Sequence, residues 1–315
     1  MGDPGEHPGR EMRLLSVIAP ICNEEETLPE LYSRLTTALQ GLEYEIVLVD
    51  DGSTDASAEI LAAIAAQDQR VNVVILSRNF GHQAALTAGI DHAAGDVVVT
   101  MDGDLQDPPE LIGEMVAAWR ESADVVYAVR RSRSGDSRLK EWSSVRFYRA
   151  FERMSGLDLG TNSGDFRLIG GGALDALRSM HERTRFLRGM STWVGFEQRA
   201  IEFDRDPRYA GSTKYTARRL IRLSLDAFTS FTHVPLQLAT LLGFLFSILA
   251  FLAIPVAIGM KIAGQFVPGI TTVLLAVLLL GGIQLITVGI IGEYLGRVYE
   301  EVKQRPLYVV REREP

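Results

Sequence analysis

Short apolar runs alternate with helical periodicities over the first third of the chain. "LLSVIAP" (14–20) is an apolar run closed by Pro and predicts a buried strand. From Thr27 to Leu39 the residues Leu28, Leu31, Leu35 and Leu39 share one helical face. "YEIVLVD" (44–50) predicts a second strand, and Ser53 or Asp55 can cap a helix that runs to about Gln67. "VNVVILS" (71–77) predicts a third strand, Gln83–Ala94 a helix, and "DVVVTMD" (96–102) a fourth strand. Strands alternating with helices of this length predict an α/β fold with a mainly parallel sheet. Segments 124–130 and 163–169 read as further strands.

The pattern changes after residue 225. No Asp, Glu, Lys or Arg occurs from Ala227 to Met260, nor from Ile262 to Gly292. Each run exceeds the roughly 20 residues that cross a hydrocarbon core. Only Lys261 separates them, so they predict a transmembrane hairpin with both ends on one side. Arg218, Arg219 and Arg222 precede the hairpin, and Arg297, Lys303, Arg305 and Arg311 follow it. Basic flanks mark the cytoplasmic side, so a multi-pass protein of the inner or plasma membrane is expected, with the large N-terminal part and both termini cytoplasmic. Between Thr213 and Phe231, Leu220, Leu223, Ala227 and Phe231 form an apolar stripe beside the three arginines, as in an amphipathic helix at an anionic membrane surface.

Composition adds limits. A single cysteine, Cys22, excludes an internal disulfide. The opening "MGDPGEHPGR" lacks the apolar stretch of a signal peptide and reads as a flexible tail. A net charge of −8 argues against nucleic acid as a partner.

Three predicted strands end in polar clusters, "PICNEE", "VDDGSTD" and "TMDGDLQD", and in a parallel sheet these open on one edge, where ligands gather. Neither G-x-G-x-x-G after the first strand nor a P-loop is present. Asp102, Asp104, Asp107 and Glu110 crowd one stretch, and an extended backbone would turn Asp102, Asp104 and Gln106 to one side as oxygen ligands for Mg²⁺ or Mn²⁺. A solvated acidic turn is the alternative on these residues alone.

In this order and spacing, Pro20–Glu24, "VDDGSTD" and "DGDLQDPPE" resemble glycosyltransferase family 2 with its GT-A fold. The likeness continues through "SRNFGHQAALTAGIDHAAGD", "SGDFRLI", "ERTRFLRGMSTWVGFEQ", "RYAGSTKY" and, past the hairpin, "GEYLGRVYEEVKQRPLY". Within the family the chain looks most like the polyprenyl-phosphate glycosyltransferases of the bactoprenol glucosyltransferase type, related to dolichol-phosphate mannosyltransferases. The resemblance divides the chain into a tail (1–13), a GT-A catalytic domain (14–212), a juxtamembrane helix (213–233), a hairpin (234–292, spans at about 236–260 and 266–290) and a cytoplasmic C-terminal tail (293–315).

The resemblance also implies roles. Pro20, Cys22 and Glu24 match the first nucleotide loop, although the family often has Tyr in place of Cys22. Val49 and Asp51 match the base-binding strand end, and Asp102, Gly103 and Asp104 the D-x-D. Asp104 and Gln106, with Asp102 nearby, would hold the metal against the diphosphate. Arg130, Arg208 and Lys214 match basic residues about the phosphates, and Asp165 matches the family's catalytic aspartate, with an ion pair to Arg167 as its structural alternative. Arg131, Lys140 and Arg146 are candidates for an acceptor phosphate, whereas His82 and His92 read as structural. The implied reaction is inverting transfer of a hexose, glucose from UDP-glucose foremost, to undecaprenyl or another polyprenyl phosphate. GDP-mannose, UDP-aminoarabinose or another UDP-hexose are alternative donors. A homo-oligomer is implied too, a tetramer being one form. A rival from another class is a small transporter or channel subunit with a cytoplasmic sensor domain. Against it, neither span carries the ionisable residue usual in a conduction path.

Overall fold

The computed structural model describes residues 10–131, 153, 163–183, 185–203, 234–263 and 269–314. The chain divides into two compact units, Met1–Leu220 with Pro306–Pro315, and Ile221–Arg305.

The first unit is built on β1 (Leu15–Ile21), α1 (Leu28–Ala38), β2 (Tyr44–Asp50), α2 (Ser57–Gln67), β3 (Val71–Leu76), α3 (His82–His92) and β4 (Val97–Thr100). A 3₁₀ turn (Pro109–Leu111) leads into α4 (Ile112–Glu121) and β5 (Val125–Arg130); then come β6 (Ser163–Gly170), α5 (Gly171–Ser179), α6 (Leu187–Trp193) and β7 (Gln198–Phe203). The strands form one eight-stranded sheet in the order β7-β5-β6-β4-β1-β2-β3-β8, where β8 is Val310–Glu314. The centre, β3-β2-β1-β4, is parallel, as the alternation predicted. The flanks make the sheet mixed: β6 runs antiparallel to β4 and β5, and β8 antiparallel to β3.

The central strands are continuous apolar runs because both faces are covered: β2 and β4 are buried throughout. Leu28, Leu31 and Leu35 of α1 are buried against this sheet, with Pro29 in the first turn, where its missing N–H costs nothing. The N-cap of α2 is Ala56 rather than Ser53 or Asp55, although Asp55, one residue earlier, accepts the Ser57 N–H at 3.0 Å.

Asp68 closes α2. It accepts two side-chain bonds from Arg70 (2.9 and 2.8 Å) and one from the Tyr32 hydroxyl at 3.0 Å. The Arg70 hydrogen bonds, against the opposing effect of burial, hold its carboxyl at about 2 rather than 3.8. Such a depressed acid contributes stability that is fully present above about pH 4 and is lost as the pH falls through about 2. Because Arg70 is 54% exposed, screening limits the contribution to about 1 kcal/mol. Asp68→Asn is therefore expected to destabilise the protein at neutral pH by about that amount, with the gap closing in acid. Chemical denaturation of both proteins along a pH series measures it.

The second unit holds α7 (Val234–Ile262) and α8 (Ile270–Lys303), which contact one another. Each contains a segment long and apolar enough to cross a membrane, Val234–Ala253 and Leu279–Lys303. Pro255 lies inside α7, a placement that membrane helices tolerate. Helix α8 does not stop at Gly292: its 34 residues, about 51 Å, exceed the roughly 30 Å hydrocarbon core. Its last turns carry the pairs Glu293–Arg297 (3.2 Å) and Glu300–Lys303 (3.1 Å). Beyond them, in the segment expected to be a tail, β8 joins the eight-stranded sheet, with the Ser77 N–H bonded to the Val309 carbonyl at 2.8 Å. The expected juxtamembrane helix at 213–233 lies outside the described residues.

Candidate active site

The carboxyl ends of β1, β2 and β4 open on one edge, and the three polar clusters meet there. The first two loops are stitched together: the Asn23 side chain accepts the Thr54 N–H at 2.7 Å, and the Asn23 N–H reaches Ser53 Oγ at 3.0 Å. Gly52, at φ +67°, lies so close to the next loop that a Cβ would stand 2.6 Å from backbone atoms of Arg78 and Asn79. This approach brings the β3–α3 loop over Asp51. Phe80 and Gly81 each donate a backbone N–H to it, at 2.7 and 2.9 Å, one per carboxylate oxygen. Burial raises the Asp51 carboxyl, and these two bonds oppose the rise. Val49 is fully buried in β2.

Around the first nucleotide loop, Cys22 accepts a long contact from Asn79 Nδ2 at 3.3 Å. Glu24 accepts from the Thr27 hydroxyl at 3.2 Å at the start of α1. Pro20 presents its carbonyl to Gly103, where a Cβ would stand 2.9 Å away.

The acids after β4 are not in an extended strand, as the D-x-D spacing had predicted. The strand ends at Thr100, and the chain turns with Leu105 at φ +58°. The reason is the close seat of Gly103 against Pro20 and Ile21. Asp104 is buried, and its Oδ1 accepts the Gln106 N–H at 3.1 Å. Desolvation, with the charges of Asp165 and Asp104, pushes Asp102 upward despite His82. Asp107 is buried, 3.8 Å from Arg130 Nη2, and is held up at about 7 by burial and the Asp102 charge. Its Oδ1 and Arg130 Nε are buried without a hydrogen-bond partner among the described residues. Glu110 is drawn off elsewhere, into a two-bond pair with Arg34 at 2.9 and 2.7 Å.

Because β6 runs antiparallel to β4, its first residues reach the same edge. Thr100 Oγ1 donates to the Asp165 carbonyl at 2.6 Å and pins the strand. The Asp165 carboxylate meets His82 Nε2 at 3.1 Å, Gln83 Nε2 at 3.0 Å and, on its other oxygen, Arg188 Nε at 3.9 Å. His82 also lies 3.6 Å from Asp102 Oδ1, and so bridges the two acids. Burial would raise Asp165, but the His82 bond and the charges of Arg188, His82 and Arg167 hold it well below the carboxylate range. The same acids lift His82 to about 9 against the effect of burial.

The Arg167 ion pair, the structural alternative for Asp165, gives way to other contacts. Its guanidinium bonds Ser191 at 2.8 Å, Ser163 at 3.3 Å and the Gly164 carbonyl at 3.3 Å, beneath the Tyr127 ring. His82 lies among the acids of this edge, whereas His92 bonds its own helix at the Ala88 carbonyl. His82 was legible in principle, since the β3–α3 loop opens on the ligand edge; Arg188 had no signal beyond its charge. Arg131 forms an exposed pair with Glu202 at 3.4 Å. Lys140, Arg146, Arg208 and Lys214 lie outside the described residues.

Among the described residues no three acid, His or Cys side chains converge closely enough to enclose a metal by themselves. A hard divalent ion fits such a site, since it takes one or two carboxylates and completes its shell with phosphate and water. Asp102 is raised by burial and by the charges of Asp165 and Asp104, and Asp107 by burial and the charge of Asp102, a crowding of negative charge that such an ion relieves.

Residues 16–178 match the family described as Glycosyl transferase family 2. The chain is 46% identical to an uncharacterized glycosyltransferase of Synechocystis over 94% of each chain. It is 39% identical to the bactoprenol glucosyl transferase of Shigella phage SfII, over 94% of this chain and 97% of that one. A prophage bactoprenol glucosyl transferase homolog of Escherichia coli is also 39% identical, over 94% and 98%. The mixed sheet with its ligand edge is the GT-A domain that this family implies. A family match through the whole acidic edge, with relatives aligned almost end to end, makes this chain a glycosyltransferase belonging to glycosyl transferase family 2.

Proposed function

We propose that the chain transfers a hexose, glucose from UDP-glucose foremost, to polyprenyl phosphate at the cytoplasmic face of the membrane, with inversion at the anomeric carbon. The observation that carries this reading is the near-full-length likeness to bactoprenol glucosyl transferases, which takes in both the carboxylate edge and the two apolar helices. A polyprenol stays in the bilayer, so an enzyme acting on it needs its site held at headgroup level, and α7 and α8 suit that purpose.

In this reading Asp51 faces the base and Asp102, Asp104 and Gln106 would hold Mg²⁺ or Mn²⁺. When bound, the ion neutralises charge on the departing diphosphate. Arg130, with Arg208 and Lys214, binds the same phosphates, its guanidinium standing 3.8 Å from Asp107 at this edge. The acceptor has a second pKa near ~6 and is mostly ionised at neutral pH, so it needs no strong base. Asp165, held as an anion by His82 and Arg188, is a poor base and serves to orient.

Purified protein incubated with undecaprenyl phosphate and a panel of UDP- and GDP-sugars is expected to yield a glucosylated phospholipid, seen by mass spectrometry of the lipid, and to yield none with EDTA. Product that survives chelation would refute the metal assignment, and a different sugar on the lipid the donor assignment.

A further inference from the structure

Four consecutive residues hold acids on two different strands. Phe80 and Gly81 give both backbone N–H groups to Asp51 at the end of β2, while His82 and Gln83 give their side chains to Asp165 on β6. Gly81 makes the turn possible: its φ of +101° is a conformation that only glycine adopts at little cost. Gln83 has a second end. Its Oε1 accepts the Leu187 N–H at 2.9 Å, so one amide joins Asp165 to the first residue of α6. The next residue, Arg188, faces the other Asp165 oxygen at 3.9 Å. The contacts close a ring, Gln83 to Asp165 to Arg188 to Leu187 and back, around a buried carboxylate oxygen that has no hydrogen bond among the described residues.

We infer that Gln83 is a positioning residue that sets Asp165 against Arg188. The inference rests on the proposed reaction only in placing Asp165 beside the reacting groups. Gln83 carries no charge, and among the described residues its amide is the one group that donates to Asp165 while accepting from α6.

Gln83→Glu tests this in the full-length protein. The introduced carboxylate still accepts from the Leu187 N–H but sets a like charge against Asp165, whereas Gln83→Met keeps the length and loses both bonds. Both are expected to lower kcat by about 10²-fold, the scale of a small misplacement at a reacting centre, with donor KM and calorimetric UDP affinity within about threefold of wild type. The like charge is expected to lower the thermal midpoint of Gln83→Glu by a few degrees, but both variants stay folded at the assay temperature, so a purely structural role would not account for so large a kcat loss. A kcat within about threefold of wild type in both variants, or a fall in kcat matched by unfolding at the assay temperature, overturns the inference. Each reaction is scored both for sugar on the lipid and for free hexose released by water. A wild type that only hydrolyses its donor counts against the polyprenyl-phosphate reading, and the ratio of variant to wild type then tests Gln83 on the hydrolysis.

Discussion

Asp104→Asn is expected to reduce kcat by about 10³-fold or more, the equivalent of about 4 kcal/mol of transition-state stabilisation. The change keeps the volume of a buried side chain and its bond to the Gln106 N–H, so the turn after β4 survives. What it removes is a negative charge where a divalent ion and a diphosphate would meet. Glu110→Gln is the matched control from the same acidic stretch. That acid is taken up by Arg34, more than half exposed, and its loss is expected to change kcat less than about threefold while costing under about 1 kcal/mol of stability. Steady-state kinetics with manganese titrated into each protein separates the two. Asp104→Asn activity within about tenfold of wild type would remove Asp104 from the reaction.

The second large effect concerns folding. At Gly52 an added methyl would meet two backbone atoms at 2.6 Å and would leave alanine at φ +67°. Overpacking against backbone and a left-handed alanine each cost about 1–2 kcal/mol or more, so Gly52→Ala is expected to destabilise by about 3 kcal/mol. The strain falls on the Arg78–Asn79 segment, immediately before the N–H groups that hold Asp51. UDP affinity should therefore decline in the protein that remains folded. Gly113→Ala, where a Cβ meets nothing within 4 Å in the first turn of α4, is expected to be stabilising by about a few tenths of a kcal/mol. Denaturant midpoints of the two variants measure the contrast.

Much of the sheet could be read from sequence because its central strands are buried on both faces and so appear as unbroken apolar runs. The edges could not. β7, "QRAIEF", is half-exposed along most of its length, and β8, "VRERE", is almost wholly charged; neither carries the signal of a buried strand. The acids of the site were legible as a cluster, since carboxylates at strand ends need a reason. Their geometry was not: whether Asp102 and Asp104 lie on a strand or a turn depends on how Gly103 seats against Pro20, a contact between loops distant in sequence. His82 and Gln83 escaped for the same reason, because their partner Asp165 is more than 80 residues away.

The return of the chain to its own sheet has a consequence for biogenesis. β8 pairs with β3, yet it is translated only after both apolar helices. Throughout synthesis the outer edge of β3 stays bare, with peptide groups open to any passing strand. A ribosome that stopped near Val309 would leave an otherwise complete catalytic sheet with that edge uncapped, so aggregation of the nascent product, rather than a chemical defect, is the first symptom to look for in chains cut short there.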